Sequence, residues 1–237
     1  MNNLSSPAKA YILSLILIGA GLAGLTLVEL DWATPGLYLL AALGAVAQTL
    51  KLEGPNARTN YSIAWFVYGF AFIALGPGAA LFVVVVSHLV EWIWHKYPWY
   101  IQTFNIGAHG LPVFLAGLVF TRFSRGTGLV DLAGVIGLVA ANLVFVLGNH
   151  FLVGMVVKVA RGQSFAESGV FEFLTLFLDF AVLTLGAVTA LTWSYNPFLS
   201  ALNIPLLYPL YRALRLPALL RQLQQEMKKA ASPVGLD

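Results

Sequence analysis

"LGPGAALFVVVVSHLVEWIWHKYPWYIQTFN", residues 75–105, decides the fold. A Gly-Pro pair opens an uncharged run from Ala79 to Val86. Ser87, His88, Glu91 and His95 then arrive within three helical turns, and "KYPW" separates this segment from another apolar one. The pattern reads as helix, tight turn, helix. Proline suits the first turn of a helix, where its missing N–H has no partner to lose. A run this apolar on all sides needs either a large protein core or a bilayer around it.

Composition favours the bilayer. Of 237 residues, 59% are hydrophobic and 10% are charged, against about 25% charged in an ordinary soluble domain. Long apolar stretches recur outside the opening one: "YILSLILIGAGLAGLTLV", "GLYLLAALGAVAQTL", "LVDLAGVIGLVAANLVFVLG" and "FEFLTLFLDFAVLTLGAVTALTW". A span needs roughly 20 mostly apolar residues. The expected fold is therefore all-α, a polytopic transmembrane bundle of six to eight helices. Eight segments are predicted, near 9–29, 36–51, 61–75, 78–95, 100–121, 128–158, 169–193 and 197–211. The first is read as a retained span rather than a cleaved signal peptide. The bundle is expected to cover 1–211. Residues 212–237 are expected to form a cytoplasmic amphipathic helix and tail, with Leu216, Leu219, Leu220 and Leu223 on one face.

Basic residues set the orientation. With the N-terminus inside, Lys9, Lys51, Arg58, Lys96, Lys158, Arg161, Arg212, Arg215, Arg221, Lys228 and Lys229 fall on the cytoplasmic side, and Arg122 and Arg125 fall outside. The positive-inside rule then predicts a multi-pass protein of the inner (cytoplasmic) membrane with both termini cytoplasmic. Trp and Tyr at the segment ends form the expected interfacial belt. The chain contains no cysteine, which excludes disulfides, thiolate metal sites and thiol catalysis. Phosphate loops, zinc-protease motifs and nucleophile elbows are absent from the sequence. A non-enzymatic protein is expected, with no metal, no cofactor and no nucleic-acid partner.

Polar groups within spans are costly and face the bundle interior. Asn105, His109, Asn142, Asn149, His150, Glu172 and Asp179 form this candidate ligand-binding set. Asn142, Asn149 and His150 recur every seven to eight residues along one stripe, and Glu172 and Asp179 share a face of the next segment. The stripe is expected to face the acids of the next segment, and an acid within hydrogen-bond reach of His150 would titrate together with it. His88, Glu91 and His95 lie within an arc of about 60° and are expected as an interfacial cluster near the cytoplasmic boundary.

The stretch from Gly76 and Pro77 through Glu91, the Pro98-Trp99-Tyr100 turn and the Phe104-Asn105 helix start resembles the membrane-associated sensor (MASE-type) regions of bacterial signalling proteins. "NHFLVGMVVKVARGQSFAE", with Asn149, Arg161 and Gly162, is similar to that family's Asn-containing helix and basic, glycine-containing turn. The resemblance implies a bundle that senses a small or lipophilic ligand, or a partner protein. It also implies a connecting helix that feeds GAF, GGDEF, HD-GYP or histidine-kinase modules. "YRALRLPALLRQLQQEMKK" matches such a connector. Signalling is then expected to run through a protein partner on this helix, with homo-oligomers an open option. Two other functions stand beside this one: a substrate-binding subunit of a transporter, and an accessory subunit of a respiratory or photosynthetic complex.

Overall fold

A computed structural model of the chain describes residues 1, 4–50, 52–53, 60–124 and 132–231. Seven helices form its body: α1 (Ser6–Val28), α2 (Pro35–Thr49), α3 (Ala64–Ala74), α4 (Pro77–His95), α5 (Trp99–Phe123), α6 (Leu132–Arg161) and, after the short α7 (Phe165–Ser168), α8 (Phe173–Tyr195). The fold is all-α. A two-stranded ladder of two residues each, β1 (Leu52–Glu53) and β2 (Asn60–Tyr61), joins α2 to α3. α1, α4, α5, α6 and α8 are long and apolar enough to cross a membrane, and α2 and α3 are shorter apolar helices. The chain is thus built as a multi-pass membrane protein.

Local signals set the helix ends. The Ser5 hydroxyl accepts from the Ala8 N–H at 3.4 Å, and Pro35 and Pro77 start α2 and α4. α4 stops at Lys96, which takes a left-handed conformation (φ 53°) while its N–H closes on the Trp92 carbonyl at 2.8 Å. A capping box starts α7: the Ser164 hydroxyl receives the Glu167 N–H, and the Glu167 carboxylate receives the Ser164 N–H. The Ser164 N–H and, after it, a bond from the Ser164 hydroxyl hold the Glu167 carboxyl below its usual range. Gly162 and Gly169 flank α7, each at φ 68°, where a side chain would be strained.

The core gathers around Tyr68, Phe72, Phe145 and Leu183, contributed by α3, α6 and α8, with α4 and α5 closing over it. α3 and α8 cross at backbone contact. A Cβ on Gly186 would overlap the Phe66 carbonyl, and one on Gly69 would overlap the Leu183 carbonyl. Small residues permit this approach where no hydrophobic force drives helices together. α1 buries one stripe (Ala8, Ile12, Leu15, Gly19) and turns Leu17, Leu25 and Val28 outward, as a lipid-facing helix does.

The eighth predicted segment, 197–211, is not a single helix. It is divided among α9 (Pro197–Ser200), a 3-10 turn (Ala201–Leu206) and the start of α10 (Leu207–Ala231). The Asn196 side chain caps the Phe198 N–H at 2.9 Å, and Pro205 sits inside the turn. Asn203 Nδ2 donates to Thr192 Oγ1 at 3.1 Å, tying the turn back onto α8. The expected boundary between 211 and 212 falls inside α10, which packs on the 3-10 turn and on β1. Residues 128–131 at the head of the sixth segment lie outside the described residues, as do Lys51, Arg58 and Arg125.

Candidate functional site

Glu91 is fully buried (0% exposed) at the centre of a polar network between α2, α4 and α5. Its Oε2 accepts from Gln48 Nε2 at 3.0 Å, Gln102 Nε2 at 2.9 Å and His88 Nδ1 at 3.0 Å. Gln102 Nε2 also donates to the His88 carbonyl at 2.6 Å. Gln48 Oε1 in turn accepts from Ser62 Oγ at 2.8 Å. This corrects the expected interfacial cluster. His88 and Glu91 share a face as predicted, but that face turns inward to the amides of two other helices. His95, at the last residue of α4, is exposed and stacks on Tyr97 with ring centroids 5.5 Å apart. Burial, and after it the Glu91 charge, raises the Tyr97 phenol above its usual value.

The predicted stripe on α6 is interior along its length. Asn142 Nδ2 donates to Thr184 Oγ1 of α8 at 2.9 Å. Asn149 Nδ2 donates to the Ala108 carbonyl of α5 at 2.9 Å. That carbonyl is available because Pro112, four residues on within α5, has no N–H to give it. A neighbouring side chain restores the bond, as a membrane helix interrupted by proline requires.

His150 bridges α6 and α8. Its Nδ1 lies 2.6 Å from the Val170 carbonyl and its Nε2 lies 2.9 Å from Asp179 Oδ2. A carbonyl only accepts, so Nδ1 carries a proton. One further proton is then shared between Nε2 and Oδ2, and the pair is neutral as a unit whichever atom holds it. The same logic fixes His109, whose Nδ1 donates to the Asn105 carbonyl at 2.9 Å. Of the two predicted acids, Asp179 meets His150. Glu172 does not: α8 begins at Phe173, and Glu172 is its exposed N-terminal flanking residue, turned away from the bundle.

These groups surround a cavity of about 250 Å³. It lies at one end of the bundle, where α2 and α6 finish and α3, α5 and α8 begin. Gln48, Ser62, Trp65, Asn105, His109, Asn149, His150 and Asp179 form its walls, and the exposed Arg161 with Gln163 stands where α6 ends. Asn142, His88, Glu91, His95 and Glu172 are not in its lining. Gln48, Trp65 and Gln102 were not singled out from the sequence, and Arg161 was named there for topology and for the sensor resemblance, not as a site residue. Gln48, the lone amide of its apolar segment, and Gln102, three residues before Asn105, carried the same signal as the asparagines. Among the described residues no group of three or more His, Cys, Asp and Glu is placed to hold a metal ion.

The chain is a helical membrane protein with a polar cavity sunk into one end of its bundle. Comparison with protein-family models, with curated proteins and with solved structures finds no match.

Proposed function

We propose that the chain is a non-enzymatic, sensor-like module of the bacterial inner membrane, that the cavity binds a small polar ligand, and that α10 transmits its occupancy to a protein partner. The observation that carries the reading is the cavity wall. Side chains costly to bury in lipid converge on one space from five helices, and the His150–Asp179 pair stands within it. The residues behind the sensor resemblance support it. Asn105, Asn149 and Arg161 line the cavity, and Glu91 holds Gln48, which also lines it.

Orientation follows from the positive-inside argument. Lys9, Lys96, Lys158 and Arg161 all lie at the helix ends nearest the cavity, so this end faces the cytoplasm. α10 touches β1, which follows α2 at the same end, and this supports a cytoplasmic C-terminus. A substrate-capture subunit for uptake would need its cavity in the outer half, which makes that function the weaker reading.

Val157 lines the cavity, and the chain has no cysteine of its own. A Val157→Cys variant should therefore react with a water-soluble maleimide, and a fraction of cytosolic metabolites should slow that reaction. A thiol that no fraction protects would overturn the reading. Deleting the residues after Arg215 should leave protection intact and abolish partner coupling. Unchanged coupling would remove α10 from the proposal.

A further inference from the structure

The cavity wall offers hydrogen-bond donors and acceptors side by side. Among the described residues the side-chain carboxamides of Asn105 and Gln163 have no partner, and Gln163 Oε1 is buried. Asn149, 5% exposed, gives one N–H to the Ala108 carbonyl, and its other N–H and its Oδ1 are unmatched among those residues. Gln48 gives one N–H to Glu91 and has a second. The Trp65 ring N–H is a further donor in the lining, and Asp179 Oδ1 a further acceptor. Little of this wall is charged. His150 and Asp179 are neutral as a pair, and Glu91 lies behind Gln48, outside the lining. The fixed charge among the lining residues is Arg161, exposed at the mouth.

We infer that the cavity takes a neutral, planar lactam ring of the nucleobase kind, read along its N–H/C=O edge by these carboxamides. This rests on the reading above and names the ligand class for the same site. An ion on the inner wall would give up its water to neutral groups, which disfavours a charged ligand there. A carboxamide sets a donor beside an acceptor, and the edge of a lactam is the reverse pair, so the two groups close two bonds at once. Asparagine and glutamine read base edges bidentately in this way. A ligand of donors alone, or of acceptors alone, leaves half of each carboxamide unmatched where water is excluded. Val153, Val157 and Val170 give the space an apolar side. A polyol, with hydroxyls all round its ring, would set some of them against these valines, whereas a lactam ring meets them with a bare face. Size agrees with this class. A cavity of about 250 Å³ equals roughly eight waters at ~30 Å³ each, room for one ring or two fused ones.

The test uses the full chain in nanodiscs and calorimetry with uracil, hypoxanthine, orotate and myo-inositol. Uracil or hypoxanthine should bind, and the better of the two should lose roughly tenfold or more in affinity when its ring N–H groups are methylated. Orotate, which is uracil with a carboxylate, should bind more weakly than the better ring, as should inositol. Asn105→Ala and Gln163→Ala remove carboxamides that hold nothing else among the described residues. Each should weaken the ring roughly tenfold at unchanged melting temperature. Equal binding of the methylated ring, of orotate or of inositol, unchanged affinity in either variant, or binding of neither ring would each overturn the inference. Protection of the Val157→Cys thiol by a cytosolic fraction, with neither ring bound, would leave a ligand cavity of different chemistry. Failure of every fraction to protect that thiol would remove the cavity reading itself.

Discussion

Gln48 and Glu91, 43 residues apart in the chain, meet at 3.0 Å inside the bundle, and Gln102 reaches the same carboxylate oxygen from a third helix. Three N–H groups thus depend on a single acceptor where water cannot replace it. Glu91→Leu should lower thermal stability severely, since each buried donor left unmade costs about 1–3 kcal/mol. Gln48→Leu, which leaves Glu91 two donors, should cost less. Thermal unfolding in detergent orders the two, and equal losses would show that the network does not act through Glu91.

His150 separates structure from response. His150→Leu leaves Asp179 buried without its partner and should destabilise by about 3–5 kcal/mol. His150→Gln keeps a donor toward one of the two acceptors and should fold nearly as well. Loss of ligand response in His150→Gln at unchanged melting temperature would assign the imidazole to the site. Full response would make it a strut.

The α3–α8 crossing has no room for a methyl group at Gly186, because the obstacle is backbone at Phe66 rather than a movable side chain. Gly186→Ala should cost about 1–3 kcal/mol or more. Gly21, with open space around its Cβ position, is the control, and Gly21→Ala should be neutral or slightly stabilising.

The α7 capping box has a pH dependence of known sign. The Glu167 carboxyl is held below its usual value, so its contribution is complete above the ordinary glutamate range and is lost as pH falls through the depressed folded value. Amide exchange at residues 165–168 should therefore stay constant from neutral pH down to that range and accelerate below it, once corrected for intrinsic rates. Glu167→Gln, which still offers an acceptor oxygen, should flatten the profile.

Single cysteines report the proposed orientation. A membrane-impermeant maleimide should label Trp32→Cys in intact cells, and should label Lys158→Cys and Lys228→Cys only after permeabilisation. The reverse pattern at Lys158 would invert the orientation.

The bundle was legible from composition and apolar run length, because lipid imposes both. Seven of the eight segments have a helix in the body of the fold. The eighth misled because hydropathy is blind to the Asn196 cap and to the side chains that fold 197–206 back onto α8. Within the site, the seven-to-eight-residue spacing on α6 was enough to turn Asn142, Asn149 and His150 inward and to bring His150 to Asp179. Glu172 shares Asp179's spacing, but α8 starts one residue after it, and helical periodicity says nothing outside the helix. His88 and Glu91 were legible as a pair. Their depth was not, because the amides that let Glu91 sit in the interior come from α2 and α5, and only tertiary packing brings those helices to it.

Pro112 and Asn149 carry a consequence for descent. The proline removes a donor from α5, and the asparagine on α6 supplies one in its place. Asparagine without the proline is a tolerable amide between helices, whereas proline without the asparagine strands a carbonyl in hydrocarbon. The less costly path to both is therefore the one in which the amide arrives first. Among descendants of a common ancestor, proline at 112 should occur only in lineages that keep a donor at 149, and loss of that donor should follow reversion of the proline.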